Sequence, residues 1–190
     1  MMQYLAIFAS GGGSNALQIM EYFASHSSIK IALVVCNKAD AGVLLHAQKH
    51  KIPSHIITPQ CLQNPEKMLG LLGLHHINYI ALAGFLKQIP AYLVQAFPEK
   101  IVNIHPALLP KYGGKGMYGM HVHQAVVANA ETETGITIHL VDEVYDHGKH
   151  LLQKTCEVLA TDTAADVAKK VLALEHAHFA PVLEKLILNP

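Results

Sequence analysis

The stretch from Tyr4 to Asn15 restricts what this chain can fold into more than any other. An apolar run, YLAIFA, stops in Ser10, Gly11, Gly12, Gly13, Ser14 and Asn15, and an apolar helical pattern then continues through Phe23. A run this short and this continuously apolar fits a strand covered on both faces. A glycine turn that leads straight from it into a helix is the opening of a β–α unit. The alternation continues. Ile31 to Cys36 (IALVVC) reads as a second buried strand, Ala41 to His50 as a helix, His55 to Thr58 as a third strand, and Lys67 to His75 as a helix. Tyr79 to Ala83 (YIALA) reads as a fourth strand, Ala91 to Phe97 as a short helix, and Ile101 to Ile104 as a fifth strand. The expected class is therefore α/β, an open, doubly wound, mostly parallel sheet.

The pattern changes after His105. Gly135 to Val141 (GITIHLV) and Leu151 to Leu159 (LLQKTCEVL) alternate polar and apolar residues, which predicts an antiparallel extension in the C-terminal half, closed by a turn at Asp146, His147 and Gly148. From Thr163 a helix with Val167, Val171 and Leu174 on one face runs toward Pro181, which should kink or interrupt it. The 190 residues suit a single domain spanning 1–190, with no internal repeat or low-complexity linker.

Composition narrows the function. Basic and acidic residues balance at 14 each, and charged residues make up only 15% of the chain, so nothing suggests a nucleic-acid or anionic-membrane surface. A small-molecule substrate is expected. Cys36, Cys61 and Cys156 are too few and too scattered for a disulfide framework or a zinc cage. MMQYLAIFAS lacks a basic leader, and no run approaches the roughly 18 apolar residues of a membrane span, so a cytoplasmic location is expected.

The segment NIHPALLPKY carries the chemistry. Asn103 and His105 stand two apart at the end of a strand that Pro106 stops, so both side chains point the same way and can reach one reacting centre. That is how a neutral oxygen-binding group is set beside a proton donor; the bland reading is a polar strand exit. The loop Gly11 to Asn15 precedes a helix start, where free N–H groups and the helix dipole favour an anion such as a phosphate. It has neither the lysine of a Walker loop nor good GxGxxG spacing, and it could be only a tight turn with Ser14 or Asn15 as N-cap. His139, Asp142, Glu143 and Asp146 cluster near the last turn. A carboxylate there, with Asp146 preferred, would keep His105 protonated, although the spacing by itself favours Asp146 as the residue that merely starts the turn. The pairs His75/His76, His121/His123 and His176/His178 lack a third ligand at a recognisable spacing, and no metal is expected.

Taken together, SGGGSN, NKAD at Asn37 to Asp40, LAGFLK at Leu82 to Lys87, NIHPALLPKY, and GITIHLVDEVYDHG at Gly135 to Gly148 resemble the phosphoribosylglycinamide formyltransferases, folate-dependent enzymes of purine synthesis. The resemblance implies a Rossmann-like formyltransferase fold and direct passage of a formyl group from the co-substrate 10-formyltetrahydrofolate to the amine of glycinamide ribonucleotide, without a metal. On the matching positions, Asn103, His105 and Asp146 would be the catalytic trio. Gly13, Ser14 and Asn15 would hold the substrate phosphate, and Leu172 and Glu175 would face the ribonucleotide. Leu86, Lys87, Gln88 and Ile89, with Asn103 and the loop Asp142, Glu143, Val144, Tyr145 and Asp146, would grip the folate. A monomer or homodimer is expected. His147 stands where a glycine is common, Leu172 where a polar side chain is frequent, and Lys87 where arginine is common. Gly113 to Gly119, with four glycines in seven residues, is longer than in the best-known members and is expected to be a mobile loop near the substrate.

Two relatives share much of such a site. The methionyl-tRNA formyltransferases usually carry a further carboxy-terminal domain and a basic surface, and the formyltetrahydrofolate hydrolases an amino-terminal regulatory domain; neither is expected in a chain of 190 residues. A binding module that keeps the fold without catalysis would have no use for all of Asn103, His105 and Asp146.

Overall fold

A computed structural model describes residues 1–189. Seven strands form one sheet in the order β3-β2-β1-β4-β5-β6-β7. They are β1 (Gln3–Ala9), β2 (Ile29–Cys36), β3 (Ser54–Ile56), β4 (Tyr79–Leu82), β5 (Ile101–His105), β6 (Glu133–Leu140) and β7 (His150–Glu157). The helices are α1 (Ser14–Tyr22), α2 (Val43–Lys49), α3 (Pro59–Leu62), α4 (Pro65–Leu74), α5 (Ala91–Ala96), α6 (Met120–Ala128) and α7 (Ala164–Leu188). Strands β1 to β5 pair in parallel, whereas β5–β6 and β6–β7 pair antiparallel. The expected sheet class is therefore found.

The apolar run of β1 shows why this order is stable. Leu5, Ile7 and Ala9 enter one buried cluster, with α1, α2 and α7. Ala6 and Phe8 enter the cluster on the opposite face, with Met68 and Leu72 of α4 and Leu93 of α5. All five are sealed from solvent, as a central strand covered on both faces requires. The strand order reverses direction between β1 and β4, and the crevice at such a switch point is the usual ligand site of an open α/β sheet. Ser10, just past β1, crosses it: its N–H donates to the Gly84 carbonyl at 3.0 Å, and its hydroxyl accepts from the Leu86 N–H at 2.9 Å.

Four local expectations need correction. The third strand is a short exposed edge at Ser54–Ile56, offset from the apolar residues that suggested it. The helices α3 and α6 were not expected; α3 is marked by the Thr58 N-cap and Pro59, while α6 follows a glycine-rich segment that masks its start. Pro181 does not interrupt α7, which runs unbroken over 25 residues from the capping box of Thr163 and Asp166. Its buried seam holds Val167, Val171, Glu175, Phe179 and Leu183, enough apolar contact to offset one missing N–H. Finally, β6 and β7 are joined by the long segment 141–149 rather than a tight turn.

Candidate active site

A cleft of about 710 Å³ opens at the carboxyl ends of β4 and β5. One wall is Phe85 to Ile89 and Val141 to Asp146. The other is Asn15 with Met120 and His123 of α6 and Ala168, Leu172 and Glu175 of α7. Asn103 and His105 line the same cleft.

The strand register assembles the centre. On β6, His139 stands opposite Asn103 and Thr137 opposite His105. Thr137 then fixes the backbone that leaves β5. Its hydroxyl donates to the Ala107 carbonyl at 2.7 Å and accepts from the Leu109 N–H and from Gln153 Nε2, both at 3.0 Å. The chain turns back so that the Tyr112 carbonyl accepts from His105 Nε2 at 2.7 Å. This leaves His105 Nδ1 as the basic nitrogen, 3.5 Å from Asp146 Oδ2. Asp146 also accepts from the Gly114 N–H at 2.9 Å and from Asn103 Nδ2 at 3.4 Å, and its Oδ1 lies 3.6 Å from His139 Nε2. His139 donates from Nδ1 to the Leu140 carbonyl at 2.9 Å, so in the neutral ring Nε2 accepts from Asn103 Nδ2 at 3.1 Å.

The electrostatics depart from expectation. His105 is only 4% exposed, and burial lowers its pKa; the Asp146 charge and the Tyr112 carbonyl push upward without overcoming it, and His139 adds to the lowering. The resting imidazole is therefore neutral near pH 7, not held protonated as the sequence suggested. For Asp146, burial alone would raise the carboxyl, but His139, His105 and the Gly114 N–H together hold it below the usual carboxylate range. It stays ionised beside His105.

Across the cleft, Gly13 occupies the left-handed region at φ 82° and is itself the N-cap of α1, with no side-chain cap. A Cβ there would meet Val43 at 2.7 Å, so the turn demands glycine. Ser14 and Asn15 are thus not N-caps. Of the glycine loop, Asn15 lines the cleft and donates from Nδ2 to Glu175 Oε2 at 2.8 Å, whereas half-buried Gly13 and exposed Ser14 do not line it. Burial raises the Glu175 carboxyl, and the Asn15 hydrogen bond offsets part of this. Leu172, Leu86, Val144 and Tyr145 are exposed on the rim. His121 and His123 lie on α6, where a spacing of two turns their rings apart: His121 is exposed and His123 buried. The loop of Gly113 to Gly119 borders the cleft from Gly114 onward.

His139 and the Tyr112 carbonyl join the site beyond the trio that the sequence marks. The alternation of β6 puts Thr137 and His139 on one face, and this was the available signal for His139. No sequence signal marks a backbone carbonyl.

Residues 3–183 match the formyl transferase family, and the chain belongs to that family. Its branch is that of the phosphoribosylglycinamide formyltransferases. The chloroplastic member from Arabidopsis thaliana is 42% identical over 94% of this chain and 63% of its own length. The Bacillus subtilis member is 36% identical over 98% of this chain and 95% of its own length. The chain thus spans less than two thirds of the plant relatives it matches, which include one from Vigna unguiculata. Among solved structures, the phosphoribosylglycinamide formyltransferase from Anaplasma phagocytophilum superposes with a TM-score of 0.89 at 29% identity, covering 100% of this chain and 89% of that one. The Bacillus halodurans enzyme gives 0.88 at 31% identity, covering 98% and 96%.

Proposed function

We propose that this cleft transfers the formyl group of 10-formyltetrahydrofolate to the amine of 5'-phosphoribosylglycinamide, a step of purine biosynthesis. The observation that carries the reading is the meeting of Asn103, His105 and Asp146 at the junction of two unlike walls. The wall of Phe85, Ile89, Val141, Val144 and Tyr145 is apolar and suits a flat heteroaromatic ring. Gln88 and the backbone from Leu86 to Ile89 supply polar contacts, as do Asp142 and Glu143, while Lys87 brings positive charge. The wall of Asn15, Leu172 and Glu175 suits a ribonucleotide, with its phosphate at Gly13, Ser14 and the start of α1. The basic residues are all lysine, so no arginine fork is available and backbone N–H groups carry more of the anion binding.

In the mechanism we assign, the neutral amine forms a bond to the formyl carbon and an oxyanion develops. Asn103 is placed to stabilise it, because its 3.4 Å contact with Asp146 is long enough to be displaced by a stronger acceptor. The bond from the formyl carbon to the folate nitrogen then breaks. His105 Nδ1 takes the proton from the attacking nitrogen and returns it to the folate nitrogen, and ionised Asp146 stabilises the intermediate imidazolium. No step calls for a metal. The three unpaired cysteines support a reducing, cytosolic setting.

The test is a coupled assay with glycinamide ribonucleotide and 10-formyltetrahydrofolate, read as release of tetrahydrofolate. Acceptor-dependent release is expected. Formate released at the same rate without acceptor would favour a hydrolase instead. Replacing Ser14 and Asn15 with alanine should weaken ribonucleotide binding on the order of a hundredfold, from lost hydrogen bonds to a charged phosphate and from loss of the Asn15 bond that holds Glu175, and leave folate affinity nearly intact. Calorimetric titration of each ligand separates the two, and a variant that lost only folate would mean the walls are assigned in reverse.

A further inference from the structure

Besides His139, which is tied to Asn103 and to the Leu140 carbonyl, His123 is the buried histidine of this cleft that the transfer does not use. It is 6% exposed, lines the cleft on the α6 side, and its Nδ1 is sealed from solvent with no hydrogen-bond partner. An unpaired buried nitrogen is costly, more so as a donor, so the ring holds its single proton on Nε2. Burial pushes the imidazole below its ordinary value, and a proton on His105 pushes the same way, which keeps the ring neutral. It is thereby a neutral N–H donor of fixed tautomer.

The other side-chain N–H groups of the centre are engaged. Asn103 Nδ2 faces His139 and Asp146, His105 Nε2–H donates to the Tyr112 carbonyl, and His139 Nδ1–H to the Leu140 carbonyl. Among the described residues the His123 N–H has no acceptor. His123 lies on α6, which packs on α7, and lines the same cleft as Leu172 and Glu175 of α7. Resting on the reading of the cleft given above, we infer that His123 is a substrate-binding residue that donates from Nε2 to the carboxamide carbonyl of the amine-bearing substrate and so orients the amine toward the formyl carbon. A neutral donor suits this place, because it binds a carbonyl oxygen without bringing a second cation to His105.

The experiment compares wild type, His123→Leu and His123→Gln by calorimetric titration with glycinamide ribonucleotide and with 10-formyltetrahydrofolate, by steady-state kinetics, and by thermal melting. The leucine variant should bind the ribonucleotide about tenfold more weakly with folate affinity unchanged. It should melt no lower than wild type, because it removes an unpaired buried nitrogen. Glutamine, which restores an N–H, should recover most of the affinity. Unchanged ribonucleotide affinity in the leucine variant overturns the inference. So does a loss confined to kcat, since the N–H would then serve the formyl oxygen. If the leucine variant does not fold, His123→Met takes its place in the same comparison. Wild type that fails to bind the ribonucleotide would overturn the acceptor assigned to the cleft, an outcome distinct from wild type and variant binding alike.

Discussion

Asp146→Asn is expected to lower kcat on the order of a hundredfold while leaving the fold intact. The amide keeps the shape of the carboxylate and can still accept from the Gly114 N–H, which holds the loop at 2.9 Å. What it removes is the charge beside His105 Nδ1. In wild type that charge is the main influence opposing the effect of burial on the imidazole. Without it, His105 becomes a still weaker base and its imidazolium loses its counter-charge, and losses of proton-transfer catalysis are typically 10²-fold to 10⁴-fold. The sign for pH follows. The His105 pKa already lies below its ordinary value and falls further, so the limb of the pH–rate profile that reports its deprotonation moves to lower pH. Steady-state kinetics from about pH 5 to 9 read both effects. Full activity with an unmoved limb would leave Asp146 as a loop residue only.

Gly148→Ala should cost about 3 kcal/mol or more of stability. An added Cβ at Gly148 would overlap the backbone carbonyl of Leu140 and crowd the Asp142 N–H at 3.3 Å, and backbone cannot swing aside as a side-chain tip can. Relief requires moving the segment 141–149, which carries Asp146 and part of the apolar wall. Activity should therefore fall even at temperatures where the variant stays folded. The neighbouring His147 is the contrast. Its side chain is 75% exposed and meets only Asp142, at 3.2 Å, so His147→Gly should change stability little. The two positions thus differ: a side chain at 147 reaches solvent, whereas a Cβ at 148 meets backbone. Chemical denaturation of the two variants makes the comparison, and equal midpoints would show that the strand connection yields more easily than its backbone contacts imply.

How far the site could be read in advance differs residue by residue. Asn103 and His105 were legible because a spacing of two before a proline fixes their common direction within one strand. Asp146 was legible as a candidate only. Its meeting with His105 depends on β6 pairing antiparallel with β5, and on a long connection that backfolds where a tight turn was expected. Glu175 illustrates the reverse. The face of α7 defined by Val167, Val171 and Leu174 suggested a plain apolar seam, yet Glu175 shares the buried side and Leu174 is only half-buried. A carboxyl can sit there because Asn15, 160 positions earlier in the chain, donates to it. No local pattern reports a partner that distant.

The sequence by itself determined the layered α/β class, the order of most strands and helices, and the glycine turn at Gly13, because each follows from apolar periodicity and backbone sterics over a few neighbouring residues. The tertiary structure alone decided which side chains converge and in what protonation state. His139 reaches Asn103 only through the β5–β6 register, and the Tyr112 carbonyl reaches His105 only through the returning loop. The balance between burial and the Asp146 charge at His105 depends on how completely the packed chain excludes water. Desolvation is a property of everything around a group at once, so it could reverse the protonation state that the nearby carboxylate alone suggested.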